Sequence, residues 1–173
     1  MKFTNGYWLT KPEYAMSYAQ EAHRVERRDG ALRVTAMTRR TNGDRGALLN
    51  TPALTVTLSA PMEDVLCVEV VHHAGRVERP PRFEIQTAPV QPAFSEDETG
   101  WNFESGALRA HVSRQDWEIR FFGNGQSLTA SGDHGMAHAW HRESGRTYMC
   151  DSLFLDVGEW VYGLGERFTP YLR

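Results

Sequence analysis

The sequence predicts an all-β fold in which antiparallel strands pack as a β-sandwich. Apolar and polar residues alternate with a period of two in several short stretches, which places one face of each strand on a core and the other face in water. Turn-forming dipeptides separate these stretches at the short, regular intervals that are typical of sandwiches. The 173 residues contain no internal repeat or low-complexity tract, so we expect a single domain over 1–173.

The first elements follow an ambiguous start. Pro12 is followed by apolar residues at helical spacing, so a short amphipathic helix could begin there. We therefore expect at most one short helix, in the first half of this stretch. The dipeptide Asp29-Gly30 then predicts a two-residue hairpin turn between strands at 23–28 and 31–38.

Later strands are predicted from the same alternation, and Asn124-Gly125 marks a second hairpin turn. The apolar run at 65–71 is nearly continuous, so we expect that strand to be covered on both faces. The stretches 38–51 and 79–99 are long for sandwich connections and are predicted to be irregular. The predicted strands are 54–58, 65–71, 101–105, 107–113, 117–122 and 126–130.

Composition excludes several classes of function. There are 19 Lys and Arg residues against 22 Asp and Glu residues, so no basic excess exists to bind nucleic acid. No apolar run approaches the ~20 residues of a membrane span, and Met1–Thr10 lacks the apolar core of a signal peptide. Cys67 and Cys150 lie in apolar segments and are expected to be buried thiols. We therefore expect a cytoplasmic protein.

The charged and histidine clusters are weak candidates for a site. Glu96, Asp97 and Glu98 are adjacent in a proline-rich stretch, and adjacent carboxylates cannot flank a glycosidic bond, so we interpret them as a solvated loop tip. His134, His138 and His141 could share a helix face and bind zinc. Nearby glycines disfavour that helix, so a polar loop is the expectation. No motif for a nucleophile, phosphate or cofactor is present.

The C-terminal segment carries a specific resemblance. YGLGERF at 162–168 resembles the motif that closes the N-terminal β-sandwich of family 31 glycoside hydrolases, in particular their bacterial α-xylosidase branch. The hairpin series at 101–132 and the approach to the motif at 146–161 are similar to that branch. NGYWL at 5–9 and LNTPALTVTLSAP at 49–61 extend the resemblance to nearly the whole chain.

The resemblance implies a sandwich of the galactose-mutarotase type that precedes a catalytic (β/α)₈ barrel. In the family two aspartates of that barrel perform retaining hydrolysis of α-glycosides, so no catalytic residue, cofactor or metal site is expected within 1–173. The family's domain packs on its barrel and helps to form the active-site mouth. Glu166, Arg167 and Phe168 are therefore the residues expected nearest to a substrate, although a purely structural role at the domain junction fits them equally.

Two other functions remain open at this point. The chain could be a stand-alone carbohydrate-binding module, or a sugar epimerase of the mutarotase fold, although no His/Glu pair of a mutarotase is recognisable. If a barrel partner is missing, the face that it covers should be an exposed apolar patch. We then expect the isolated chain to self-associate through that face.

Overall fold

The computed structural model describes residues 3–5, 9–41, 45–72, 86–88 and 90–160. Within these residues the chain forms twelve β-strands, one short 3-10 helix at Arg45–Leu48 and no α-helix, and no helix there is long and apolar enough to cross a membrane. The strands are β1 Tyr14–Tyr18, β2 Glu21–Arg28, β3 Ala31–Met37, β4 Ala53–Met62, β5 Val65–Val71, β6 Ala93–Glu96, β7 Gly100–Ser105, β8 Leu108–Ser113, β9 Ile119–Gly123, β10 Gln126–Ser131, β11 Ala137–His141 and β12 Thr147–Cys150.

The strands form three antiparallel sheets. Strands β2 to β5 make a four-stranded sheet in chain order, and β6 to β10 make a five-stranded sheet in chain order, so every connection within these two sheets joins neighbours. Both predicted hairpin turns are confirmed. Asp29 and Gly30 have φ of 52° and 72°, and Asn124 and Gly125 have φ of 50° and 79°, which are the positive values that a type I′ turn requires.

The four-stranded and five-stranded sheets pack face to face around one core. The alternating residues of β3 and β4 supply one wall, and those of β7, β8 and β9 supply the other, so the predicted sandwich is confirmed. Because the apolar residues recur every second position, all of them reach the same layer. The central side chains are fully buried: Val34, Leu54, Val56, Leu58, Phe103, Ala110, Val112 and Ile119.

A contact between two turns fixes one end of the sandwich. The carboxylate of Asp64, in the turn between β4 and β5, accepts a hydrogen bond of 2.5 Å from the backbone N–H of Ala107, in the turn between β7 and β8. Gly106 lies between them with φ of 56°, and a Cβ atom there would stand 2.1 Å from Asp64 Oδ1. Only glycine satisfies both the conformation and the close approach.

The third sheet pairs the first strand of the described chain with its last two strands. It has the order β1-β11-β12, and Tyr14 pairs with His141 while Tyr18 pairs with Ala137. The segment Ala19-Gln20 connects this sheet to the other two. Ala19 N donates to Met136 O, Gln20 N donates to Met37 O, and Gln20 O accepts from Trp117 N, all at 2.8–2.9 Å.

The stretch after Pro12 forms β1 and not the helix that the sequence left possible, because pairing with β11 satisfies its backbone groups. The expectation of at most one short α-helix therefore holds for the described residues. Four sequence expectations are wrong. Strand β5 is covered on one face only: it lies at a sheet edge, and Val65 and Cys67 are exposed, so Cys67 is not a buried thiol. Cys150 is half-buried. The stretch 79–99 contains β6, and the supposed polar loop of histidines contains β11.

Candidate functional site

The predicted site residues Glu166, Arg167 and Phe168 lie outside the described residues, as does the whole of the YGLGERF motif. The structure does describe the chain up to Trp160, which leads into that motif. There it follows the edge of the five-stranded sheet. Phe154 N donates to Ala130 O at 2.9 Å, and Thr129 Oγ1 donates to Phe154 O at 2.7 Å. The chain therefore approaches the motif from a position fixed on strand β10.

This segment presents an apolar surface, which we call the C-terminal patch. Leu153, Phe154 and Leu155 are 55%, 56% and 59% exposed. None of the three belongs to the buried core of the sandwich. Leu128 and Trp160, also exposed, complete the patch, and the side chains surround a shallow cavity of about 340 Å³.

A larger cavity, which we call the junction cleft, opens where the three sheets meet. Its volume is about 870 Å³, and it is lined by residues 16–20, 38–40, 50–52, 116–118 and 133–134. These segments come from the end of β1 and the residues after it, the two ends of the connection between β3 and β4, the residues just before β9, and the turn before β11. The cleft exists because the chain leaves each sheet at this point, so no single strand closes the space.

Charged groups of both signs line the junction cleft. The Arg40 guanidinium forms an ion pair with the Asp116 carboxylate, which links two walls. Glu118, also in the lining, accepts two hydrogen bonds from Arg120, at 2.9 and 3.0 Å. Thr38 Oγ1 donates to Pro52 O at 2.7 Å, which fixes the adjoining wall.

One aromatic contact completes that wall of the cleft. The ring of Tyr18 meets the ring of His134 edge to face, with centroids 4.5 Å apart. His134 in turn approaches the carboxylate of Asp133 at 2.9 Å. It adopts a left-handed backbone conformation with φ of 56°, a region that histidine visits more often than most residues.

A glycine turn separates the junction cleft from the C-terminal patch. A Cβ atom on Gly132 would stand 3.0 Å from the Phe154 ring in the patch and 3.5 Å from Glu118 Oε2 in the cleft. A Cβ atom on Gly135 would meet Ser131 Oγ at 2.8 Å. Next to the turn, Ser131 Oγ donates to Asp151 Oδ1 at 2.5 Å, and burial raises the pKa of this carboxyl group. The two surfaces are therefore neighbours.

The three candidate histidines are dispersed. His138 and His141 lie on opposite faces of β11, since they are three residues apart on a strand. His138 is buried and stacks on His72 with centroids 4.1 Å apart, whereas His141 Nδ1 contacts Ser144 Oγ at 2.8 Å. Burial lowers the pKa of His138, and the neighbouring His72 lowers it further. Among the described residues, no three metal-ligating side chains come together.

The acidic cluster forms the turn of the β6–β7 hairpin. Asp97 Oδ1 accepts hydrogen bonds from Thr99 Oγ1, Thr99 N and Gly100 N, at 2.5, 2.7 and 3.1 Å. These bonds, that of the Thr99 hydroxyl first, lower the pKa of Asp97. Glu96 pairs with Arg114 at 2.5 Å. These two carboxylates act within the turn and do not face a cavity together.

Sequence reasoning missed the junction cleft. Its lining comes from five separate segments that meet only after the three sheets have formed. Tyr18 and His134, which contact each other in the cleft, are 116 positions apart in the chain. No local motif marks any of these segments, so the sequence alone contains no signal for the site.

The antiparallel sheets, the absence of α-helix from the described residues and the paired-sheet core define an all-β sandwich domain. Comparison with known proteins identifies the family. Residues 55–173 match the Glycosyl hydrolase 31 N-terminal galactose mutarotase-like domain. The chain belongs to this family, and the resemblance inferred from the C-terminal motif is confirmed.

Two relatives align with the whole chain. Alpha-xylosidase XylQ of Lactiplantibacillus pentosus is 33% identical over 174 residues, and an alpha-xylosidase of Emericella nidulans is 25% identical over 195 residues. The alignment covers 100% of this chain in both cases but only 23% and 25% of the relatives. The chain thus spans about a quarter of the length of these curated relatives and is homologous to α-xylosidases throughout.

Proposed function

We propose that the chain acts as the non-catalytic N-terminal domain of an α-glycosidase of the α-xylosidase type, in which it supports the catalytic barrel and shapes the active-site mouth. Two relatives named alpha-xylosidases extend well beyond the aligned region. The partners are then the barrel and, through it, an α-xyloside or α-glucoside. We propose the cytoplasm as the compartment.

The observation that carries this proposal is the C-terminal patch. Leu153, Phe154 and Leu155 are more than half exposed, yet hydrogen bonds to β10 hold their backbone in place. Contiguous apolar surface of this kind marks an interaction site. In the sequence it lies directly before the segment 162–168 that carries the family motif. In this proposal Glu166, Arg167 and Phe168 lie at the junction, where they approach the substrate.

The proposal is tested by joining the chain to the barrel of a relative. The 174 aligned residues of the Lactiplantibacillus pentosus alpha-xylosidase are replaced by this chain, and hydrolysis of p-nitrophenyl α-xyloside is measured. We expect turnover by the chimera and none by the 173-residue chain alone. Robust turnover by the isolated chain would falsify the proposal.

Matched variants locate the interface. Leu153→Ser with Leu155→Ser in the chimera should reduce both activity and thermal stability, because the patch no longer supplies apolar contact. Leu49→Ser is the control, since Leu49 is 70% exposed and lies outside the patch. If the control and the patch variant behave alike, the patch does not contact the barrel.

The alternatives are separated by direct assays on the isolated chain. A stand-alone module should bind isoprimeverose or xyloglucan oligosaccharides with submillimolar affinity, and an epimerase should accelerate the change in optical rotation of α-glucose or α-galactose. Epimerisation, or submillimolar binding by a chain whose chimera with the barrel is inactive, would replace the proposed role.

A further inference from the structure

The junction cleft has the dimensions of a ligand site and no part in the function proposed above. Its volume of about 870 Å³ lies within the range of ~300–1,000 Å³ for small-molecule sites. Its walls are held by contacts within the chain, among them the Arg40–Asp116 ion pair and the Thr38–Pro52 hydrogen bond. A ligand would therefore enter a site that is already formed.

The charges of the cleft point to a neutral ligand. The lining holds two guanidinium groups, Arg39 and Arg40, and three carboxylates, Asp116, Glu118 and Asp133. Arg40 is paired with Asp116, and Glu118 is paired with Arg120, which lies outside the lining. Because the opposite charges nearly balance, the lining carries no strong excess of one sign that would attract an anion or a cation. Paired guanidinium and carboxylate groups still present donors and acceptors. They can therefore bind hydroxyl groups, which both donate and accept.

The remaining lining supplies apolar contact beside these polar groups. The Tyr18 ring is held edge to face against His134, and Met16 lies two residues earlier on the same side of β1. Flat aromatic surface next to convergent polar groups suits a ligand with one apolar C–H face and a hydroxyl-bearing rim. Sugars have this form.

Trp117 forms part of the cleft and provides a reporter. Its side chain is 2% exposed, and its indole N–H has no hydrogen-bond partner among the described residues. Because Trp117 lines the cleft, a ligand there would change the environment of this proton. The indole proton of Trp117 should therefore shift when the cleft is occupied.

We propose that the junction cleft binds a neutral oligosaccharide. The geometry alone defines a neutral polyhydroxylated ligand, and the choice of an oligosaccharide built from xylose and glucose rests on the proposed function. The cleft is separated from the C-terminal patch only by the turn that contains Gly132. Binding in the cleft by the isolated chain requires no barrel, so it is measured independently of hydrolysis.

The test is a titration of the isotopically labelled 173-residue chain with xyloglucan heptasaccharide, followed by ¹H–¹⁵N correlation spectra. Trp117→Phe identifies the indole signal of Trp117 among those of the five tryptophans. We expect this signal to shift saturably with a dissociation constant in the millimolar range. Signals of residues in the cleft should shift with it.

Matched variants establish the location. Arg39→Ala should weaken binding about tenfold, which corresponds to the loss of roughly 1.4 kcal/mol, because Arg39 lines the cleft. Arg33 lies on β3 outside the lining, so Arg33→Ala should bind as the parent does. Tyr18→Ala should also weaken binding, provided that its spectrum retains the dispersion of the folded chain.

Three results would overturn the proposal. The first is the absence of any saturable shift at the solubility limit of the heptasaccharide. The second is a shift confined to residues outside the cleft. The third is tighter binding of tetragalacturonate, which would show that the site selects an anion. In each case an active chimera with the relative's barrel would leave the proposed function intact.

Discussion

Two apolar triplets in this chain have opposite environments. Leu54, Val56 and Leu58 on β4 are completely buried, whereas Leu153, Phe154 and Leu155 are more than half exposed. The first triplet alternates with polar residues and so places all three side chains on one face. The second is consecutive and lies on the rim of the five-stranded sheet. Apolar character alone therefore does not predict burial. Alternating apolar residues form the core of this domain, whereas the consecutive ones stay exposed and are available to a partner.

The largest expected effect on stability is that of truncating a phenylalanine in the core, and the same truncation in the C-terminal patch is its comparison. Phe103→Ala removes a fully buried ring between the two large sheets and should lower the free energy of unfolding by about 3–5 kcal/mol. Phe154→Ala removes a ring that is already 56% exposed and should change it by less than about 1 kcal/mol. Urea denaturation measures both. Equal losses would contradict the contrast between core and patch.

A smaller effect is expected from the two glycine turns. Gly106→Ala introduces a Cβ atom into the Asp64 carboxylate at positive φ, so we expect a loss of about 2–3 kcal/mol. Gly125→Ala has the same conformational strain, but nothing lies within 4 Å, and it should cost about 1 kcal/mol. The difference between the two losses of stability measures the contact between Gly106 and Asp64. It is read from the urea midpoints, and identical midpoints would show that Asp64 simply moves aside.

The free energy of unfolding should depend on pH through the buried His138, which stacks on His72. Burial and His72 lower the pKa of His138 in the folded chain, so the unfolded chain binds this proton first as the pH falls. Stability is therefore complete above the unfolded pKa of about 6.5 and declines as the pH falls from there toward the folded pKa.

Urea midpoints at several values between pH 7.5 and 5 measure this decline. His138→Gln should flatten it, whereas His23→Gln, at an exposed position on β2, should leave it unchanged. A decline that persists in His138→Gln would assign the pH dependence to other groups.

The smallest effect expected is weak self-association through the C-terminal patch. Sedimentation velocity of the isolated chain should show a concentration-dependent increase in the sedimentation coefficient, because exposed apolar surface associates. Phe154→Ser with Leu155→Ser should abolish the increase, and Leu49→Ser should not. A strictly monomeric profile at high concentration would count against the patch as an interface.

The sandwich could be predicted from the sequence because its signals are local. Alternation fixes which residues of β3, β4 and β8 face the core, and Asp29-Gly30 and Asn124-Gly125 fix two hairpin turns. The three-stranded sheet could not be predicted. Its central strand, β11, has three consecutive buried residues, Ala137, His138 and Ala139, followed by the exposed Trp140, so it has no alternating apolar pattern.

The two candidate surfaces also differ in whether a local sequence signal marks them. The C-terminal patch follows from the apolar run at 153–155, which is visible in the sequence although its exposure is not. The junction cleft depends on strands from all three sheets ending at one place, and nothing in Arg40 or Asp116 shows that they will meet. Long-range arrangement of this kind is a property of the assembled fold.

The pairing of β1 with β11 has a consequence for biosynthesis. Tyr18 is translated before its partner Ala137 by 119 residues. At a synthesis rate of roughly 5–20 residues per second, this interval is about 6–24 s. During it the four-stranded sheet can form from neighbours alone, while β1 has neither its partner strand nor the carbonyl of Met136 that anchors Ala19. The nascent chain must therefore keep its first strand unpaired until nearly the whole domain has left the ribosome.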